Sequence, residues 1–279
     1  MRLRIDLAYD GGGFSGWALQ PGLRSVQETL ETALAKLFRV ESGEIRTVVA
    51  GRTDAGVHAT GQVCHVDVPD GHYLLGDGAK PGELITKRLR GALGKSTPIW
   101  IQSVSVAPEG FDARFSPLRR RYEYRIADGA STKDPRHAGH TLWLPDTLNV
   151  AAMNRMGKAI LGLHDWASFC RARAGATTIR TLEKFSWKRD EHGVLIGAVV
   201  ADAFCHSMVR SLVGAAVAVG RGSLDVGEVV ELRDKTERTS AWKTMPAHGL
   251  TLVEVVYPKD RDLAHRAELT RAPRALLTD

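Results

Sequence analysis

The apolar residues of this chain follow two alternating periods. Residues 2–9 (RLRIDLAY) are apolar at every second position, the period of a half-buried strand. Three glycines, Gly11 to Gly13, break that run. Ser25 followed by Glu28 has the spacing of a capping box, and Val26, Leu30, Ala33, Leu34, Leu37 and Phe38 then share one helical face. Residues 45–50 and 62–68 predict two strands joined by a glycine-containing loop. Ile85, Leu89, Ala92 and Leu93 predict a second helix, and 99–107 a fourth strand. The order is β-α-β-β-α-β.

The second half repeats that order with longer connections. Alternation returns over 120–127, helical periodicity over 149–161, and a strand pair over 179–189 and 193–202. A helix over 204–219, an extra one near 225–234 and a strand over 250–257 complete the set. The pattern predicts an α+β fold of two ferredoxin-like β-α-β-β-α-β halves that share a central antiparallel sheet, with helices on one face. The other face is left for a ligand. The expected division is 1–110 and 111–257, with 128–142 a loop or linker and 258–279 a charged, disordered tail.

Composition narrows the setting. No apolar run approaches the ~20 residues of a membrane span, and the opening Met1-Arg2-Leu3-Arg4-Ile5 lacks the apolar stretch of a signal peptide. A cytoplasmic protein without a membrane partner is expected. Cys64, Cys170 and Cys205 include no Cys-x-x-Cys pair, so reduced, buried thiols are expected. The net charge of +6 suits a polyanion. Arg119-Arg120-Arg121, followed by Tyr122, Tyr124 and Arg125, reads equally as an RNA-facing surface or as a solvated strand face.

Two motifs fail on context. Gly11 to Gly16 matches G-x-G-x-x-G, but the helix starts only after Ser25, too late for a dinucleotide fold. The His-x-Glu and Pro-Cys-x-x-Cys elements of zinc deaminases are missing, and no metal site is expected. The informative segment is Gly51-Arg52-Thr53-Asp54-Ala55-Gly56-Val57-His58, between two strand-like runs. Its glycines allow tight backbone and close approach of a ligand, so the loop can present Asp54. On the residues alone, an Asx-turn stabilising the loop explains Asp54 as well.

This segment closely resembles the signature loop of the tRNA pseudouridine synthase A family, in which the Asp is catalytic. Further likenesses run in the family's order: Tyr9-Asp10-Gly11, Phe14-x-Gly16-Trp17, Ser25-Val26-Gln27, Phe111-Asp112-Ala113-Arg114 and Arg121-Tyr122-x-Tyr124. His164-Asp165-x-x-Ser168-Phe169, Arg180-Thr181-Leu182, Met208-Val209-Arg210 and Gly249-Leu250 follow. Gly13, Ala18 and Trp166 depart from the family's usual residues.

The resemblance implies an isomerase that converts uridine to pseudouridine at positions 38, 39 and 40 of the tRNA anticodon stem-loop, acting as a homodimer. The reaction is redox-neutral, so no cofactor is expected. Asp54 is implied as the carboxylate, acting either on C1′ or on the 2′-hydrogen. Arg210 is implied as its positive partner, and Tyr122 as the aromatic that stacks on the target uracil. Arg52 is implied to fill the flipped base's space or hold its phosphate. His58, four residues beyond Asp54, reads more simply as a support of the loop than as a base. Two rivals are a non-catalytic RNA-binding module and a metal-dependent phosphoryl-transfer enzyme. The first leaves Asp54 unexplained between Arg52 and two glycines, and the second lacks further carboxylates or a phosphate loop nearby.

Overall fold

The computed structural model describes residues 1–69, 81–171 and 177–272, in two compact units. The first comprises Met1–Leu118 with Leu252–Ala272, the second Arg119–Thr251. In the first, β1 (Arg2–Tyr9) buries Leu3, Ile5, Leu7 and Tyr9, as its alternation predicts. Helix α1 (Val26–Phe38) follows, capped by Ser25, whose side chain accepts from the Glu28 N–H at 3.2 Å. Next come β2 (Thr47–Val49), β3 (His58–Asp67), α2 (Pro81–Leu93) and β4 (Ile99–Val106). Strand β1 lies antiparallel between β3 and β4, and β2 pairs with β3. The order β4-β1-β3-β2 is that of a ferredoxin-like half.

Side chains and glycines fasten these helices to the sheet. The buried Glu31 carboxylate of α1 accepts from Thr47 N–H at 2.7 Å, Thr47 Oγ1 at 2.9 Å, Gln27 Nε2 at 2.8 Å and Arg46 at 3.0 Å. A buried carboxylate needs this many donors to hold its charge. On α2, Thr86 Oγ1 accepts from the Val104 N–H at 2.8 Å. At Gly82 any Cβ would fall 2.1 Å from Val104 O, so only glycine lets the helix lie this close.

The second unit opens with β5 (Arg119–Ala127), then β6 (Leu142–Trp143), α3 (Val150–Ala159), β7 (Gly162–Asp165), β8 (Ile179–Arg189) and β9 (Leu195–Ala201). Helices α4 (Met208–Gly220) and α5 (Val226–Asp234) follow. Strands β5, β9, β8 and β7 lie side by side, each antiparallel to the next, and β6 runs parallel to β5. The two-way capping box occurs at Asp225 and Glu228 of α5, where each side chain meets the other's backbone N–H. The expected loop over 128–142 holds a 3₁₀ turn (Pro135–His140) and the start of β6.

The chain ends with β10 (Leu250–Val256) and α6 (Leu263–Arg271). From Leu252 onward it belongs to the first unit, where Val253 O would lie 2.2 Å from a Cβ at Gly61 of β3. The expectation of a disordered tail is corrected over 260–271. Leu263 and Ala267 are buried, Ser116 Oγ donates to Leu263 O, and Arg266 donates to Pro117 O. Two apolar positions one turn apart are too thin a stripe to register as periodicity. Residues 273–279 lie outside the described ones.

The expectation of three reduced thiols is corrected as well. Cys170 and Cys205 form a disulfide, their Cα atoms 5.9 Å apart. The Arg171 N–H donates to His206 O at 3.1 Å, which draws together segments 35 residues apart in the chain. Spacing alone does not reveal such a pair. Cys64 is free and buried, and burial pushes its thiol pKa up.

Asp128, just beyond β5, anchors that strand's end. It is fully buried, takes Arg189 at 2.8 and 2.7 Å, and accepts from the N–H groups of Leu148 and Ala130 and from Ser131 Oγ. Burial alone would raise its pKa, but these donors, Arg189 foremost, hold the carboxyl well below its usual range.

Asp128→Asn is therefore expected to cost about 3 kcal/mol of stability near neutral pH, by stranding Arg189. Because the folded-state pKa is depressed, that contribution is present above about pH 4 and is lost as pH falls toward the folded value. Denaturant melts of both proteins from about pH 7 down to about pH 3 check this, and the difference should shrink at the acid end. Gly61→Ala should force β3 and β10 apart at a cost of about 1–3 kcal/mol, read as a lower denaturant midpoint with unchanged slope.

Candidate active site

In the first unit the segment 51–57 forms a loop leading into β3. Its backbone is held from three directions. Trp17 N–H donates to Thr53 O at 3.0 Å, Gly56 N–H donates to Phe14 O at 3.3 Å, and Val57 N–H closes the loop on Asp54 O at 3.1 Å. Gly16 has φ +95°, and a Cβ there would lie 2.9 Å from Thr53 O and 3.1 Å from Ala55 N. Gly11 is tighter still, since its Cβ would meet Val57 O at 2.0 Å. Gly11 and Gly16 therefore fit against the Asp54 loop.

A buried polar network supports the loop from beneath. Gln62 Nε2 donates both to Tyr9 Oη at 3.1 Å and to Gly51 O at 2.8 Å. Tyr9 Oη, already accepting from Gln62, lies 2.8 Å from Thr53 Oγ1 and can pass its own proton there. Burial pushes the Tyr9 phenol up to about 12, so it stays a neutral donor. His58 is buried, with Nδ1 3.2 Å from Gly11 N and 3.0 Å from Asp10 Oδ1. Neutral Nδ1 accepts from Gly11, and protonated Nδ1 donates to Asp10. Either state ties this loop to the glycine segment.

Within this frame Thr53, Val57 and His58 are buried, Asp54 is partly buried and Arg52 is exposed. A partly exposed carboxylate on a backbone fastened on both sides can meet a bulky substrate without moving.

In the second unit Tyr122 and Tyr124 share a face of β5 with Arg120 and Ile126, all four buried. Tyr122 is 7% exposed and packs edge-on against Phe204, with ring centroids 5.1 Å apart and planes at 88°. Tyr124 is fully buried and donates to Pro246 O at 2.8 Å. Burial raises its pKa, opposed by the charge of Arg210. Arg210, partly buried near the start of α4, donates from Nε to Met245 O at 2.6 Å, and its own carbonyl accepts from Met245 N–H. Ser207, at φ +65°, turns the chain into that helix.

The arginine run of β5 divides by strand period. Arg120 points inward and donates to Asp202 O. On the other face Arg119 pairs with Glu183 at 3.0 Å, Arg121 with Glu123 at 2.6 Å and Arg125 with Asp190 at 3.4 Å. The run is thus a balanced outer face plus one structural cation.

Of the residues singled out from sequence, Arg52 and Asp54 stand on one loop of the first unit. Tyr122 and Arg210 belong to the second, where Arg210 acts on Tyr124. Sequence reading passed over the Tyr9–Thr53–Gln62 network and Phe204. Tyr9 and Thr53 lie inside recognisable motifs, but Gln62 and Phe204 carry no signal that separates them from ordinary strand and turn residues. Trp166 is core, fully buried with its indole N–H bonded to Arg180 O at 2.9 Å. Among the described residues, no group of three or more His, Cys, Asp or Glu could hold a metal ion, and no helix is long and apolar enough to cross a membrane.

Comparison with known proteins places this frame. A family model described as tRNA pseudouridine synthase matches residues 156–258. The tRNA pseudouridine synthase A of Leifsonia xyli subsp. xyli is 56% identical, over 99% of this chain and 98% of its own. Those of Frankia casuarinae and Streptomyces griseus subsp. griseus are 48% and 47% identical, over 98% and 99% of this chain and 96% and 95% of theirs. Among solved structures, a chain of a Cbf5-Nop10-Gar1 complex matches 77% of this chain and 54% of its own, at 11% identity and a TM-score of 0.30, too low to bear on the fold. With relatives this similar over nearly the full length of both chains, the protein belongs to the tRNA pseudouridine synthase A family.

Proposed function

We propose that this protein isomerises uridine to pseudouridine at positions 38, 39 and 40 of the tRNA anticodon stem-loop, with Asp54 as the catalytic carboxylate. Family membership carries the coarser statement, that the protein is a tRNA pseudouridine synthase and hence an isomerase. The observation that carries the assignment of Asp54 is its setting. It is a partly exposed carboxylate on a loop fixed by Gly16, Trp17, Phe14 and the Tyr9–Thr53–Gln62 network.

The chemistry asks little else. The N1–C1′ bond breaks, the uracil turns, and C5 bonds to C1′. The C5 hydrogen leaves to solvent and N1 gains a proton, so no electrons are exchanged and no cofactor is needed. A carboxylate serves whether it attacks C1′ or takes the 2′-hydrogen. The target base must leave its stack at a cost of a few kcal/mol. In this reading Tyr122 stacks on the uracil, and Arg52 and Arg210 are cations that hold the substrate. The enzyme works in the cytoplasm as a homodimer.

Unmodified tRNA carrying tritium at uridine C5 tests the proposal without added metal or cofactor. The wild type should release tritium, while Asp54→Asn should lose about a hundredfold or more in rate and still retain the tRNA. Retention of tRNA by both proteins with release by neither would leave only an RNA-binding module. Tyr122→Ala should lower kcat/KM by on the order of tenfold through the lost stack. If Tyr122→Phe shares a much larger loss, the hydroxyl also carries the C5 proton.

A further inference from the structure

Trp100 stands 57% exposed on β4, and nothing in the reaction as described uses it. By register it lies opposite Ala8 of β1. Its neighbours Ile99 and Ile101 are buried on the face against which α2 packs, so Trp100 projects from the opposite face of the first unit's sheet. Ala8 offers the ring no obstruction. Beside it Gln102 reaches across β1 and donates to Thr60 O on β3 at 2.7 Å.

The indole is held in place. The Arg90 guanidinium wraps from α2 around the sheet edge and sits 4.2 Å from the ring centroid. It is fixed there by donating to Ile101 O at 2.7 Å and Gln102 O at 3.0 Å. One face of the ring is thus backed by a cation bound to the strand, and the other is open. Single exposed apolar residues are common, but this one is held by a cation over its ring. Lys87 on α2 and Lys95 just beyond it are exposed, which favours a polyanionic partner.

The position matters as much as the geometry. Trp100 is the second residue of β4, at the end of the sheet where Asp10 N–H donates to Pro98 O at 3.0 Å and where the loop carrying Asp54 enters β3. Two strand spacings separate β4 from β3 across β1, about 10 Å.

We propose that the open face of Trp100, backed by Arg90, stacks a nucleobase of the substrate RNA close in the strand to the uridine presented to Asp54. The proposal rests on the reading of this protein as a tRNA uridine isomerase and adds a second base-binding position to it. Stacking on an aromatic ring is tolerant of base identity, so the site grips without reading sequence. A ring already immobilised by Arg90 loses little freedom on binding.

The test is equilibrium binding of fluorescein-labelled unmodified tRNA at one fixed salt concentration to the wild type, Trp100→Phe and Trp100→Ala, with tritium release measured in parallel. Trp100→Ala should bind about tenfold more weakly, the loss falling on KM and not on kcat, and Trp100→Phe should recover most of it. Equal binding by Trp100→Ala and the wild type would overturn the proposal and leave the isomerase reading intact. Absence of tritium release from the wild type would sink the isomerase reading, while the binding ratio would still judge the stack. A change of oligomeric state in Trp100→Ala by sedimentation would assign this face to a second copy of the chain and overturn the proposal too.

Discussion

Two loops in the first unit approach each other so closely that the glycine segment after β1 has no room for a side chain at Gly11 or Gly16. A Cβ on Gly11 would sit inside the van der Waals radius of Val57 O, and one on Gly16 would crowd Thr53 O and Ala55 N. Hydrogen bonds from Trp17 and Gly56 stitch the two segments into one backbone layer, with His58 and Asp10 closing one end. Everything proposed for Asp54 depends on this layer, because a carboxylate orients a substrate only if its own position is settled beforehand. Tyr9, Thr53 and Gln62 settle it from below, each polar atom meeting a partner where water is excluded.

The hydrophobic periods made the fold legible. The limits predicted for β8 are those it occupies, and those for β1, α1, α3, α4, α5 and β10 lie within a few residues; β1 and α1 bury one clean face, whereas α4 is buried nearly all round. What escaped has a physical reason in each case. Strands β6 and β7 are two and four residues long, too short to show a period. Helix α6 buries only Leu263 and Ala267 on an otherwise charged segment. The Cys170–Cys205 pair joins segments 35 residues apart in the chain, which spacing does not reveal.

The candidate site divides in the same way. Asp54 and Arg52 could be named only through the likeness of their eight-residue loop to a family signature, since on the residues alone an Asx-turn explains Asp54 as well. The role of Gly16 could not, since an isolated positive-φ glycine looks like any turn. The arginines of β5 were ambiguous on sequence because carboxylate partners such as Glu183 and Asp190 come from β8 and the turn that follows it. Net charge thus overstates how much of that strand faces an anion. Where a positive surface does go with an open aromatic ring, it is on β4 and α2.

The first unit is not contiguous in the chain. Val253 of β10 packs against Gly61 of its sheet, and α6 meets the segment after β4 at Gly110, Ser116 and Pro117. During synthesis the segment carrying Asp54 emerges early, yet the residues that finish its unit come after the whole of the second unit. At the usual pace of about 5–20 residues per second, that interval is on the order of 10 s. The loop that carries Asp54 is thus among the first parts made, and the unit that holds it is among the last to be completed. A nascent chain that stalls midway carries the carboxylate without the β10 and α6 contacts that complete the unit around it.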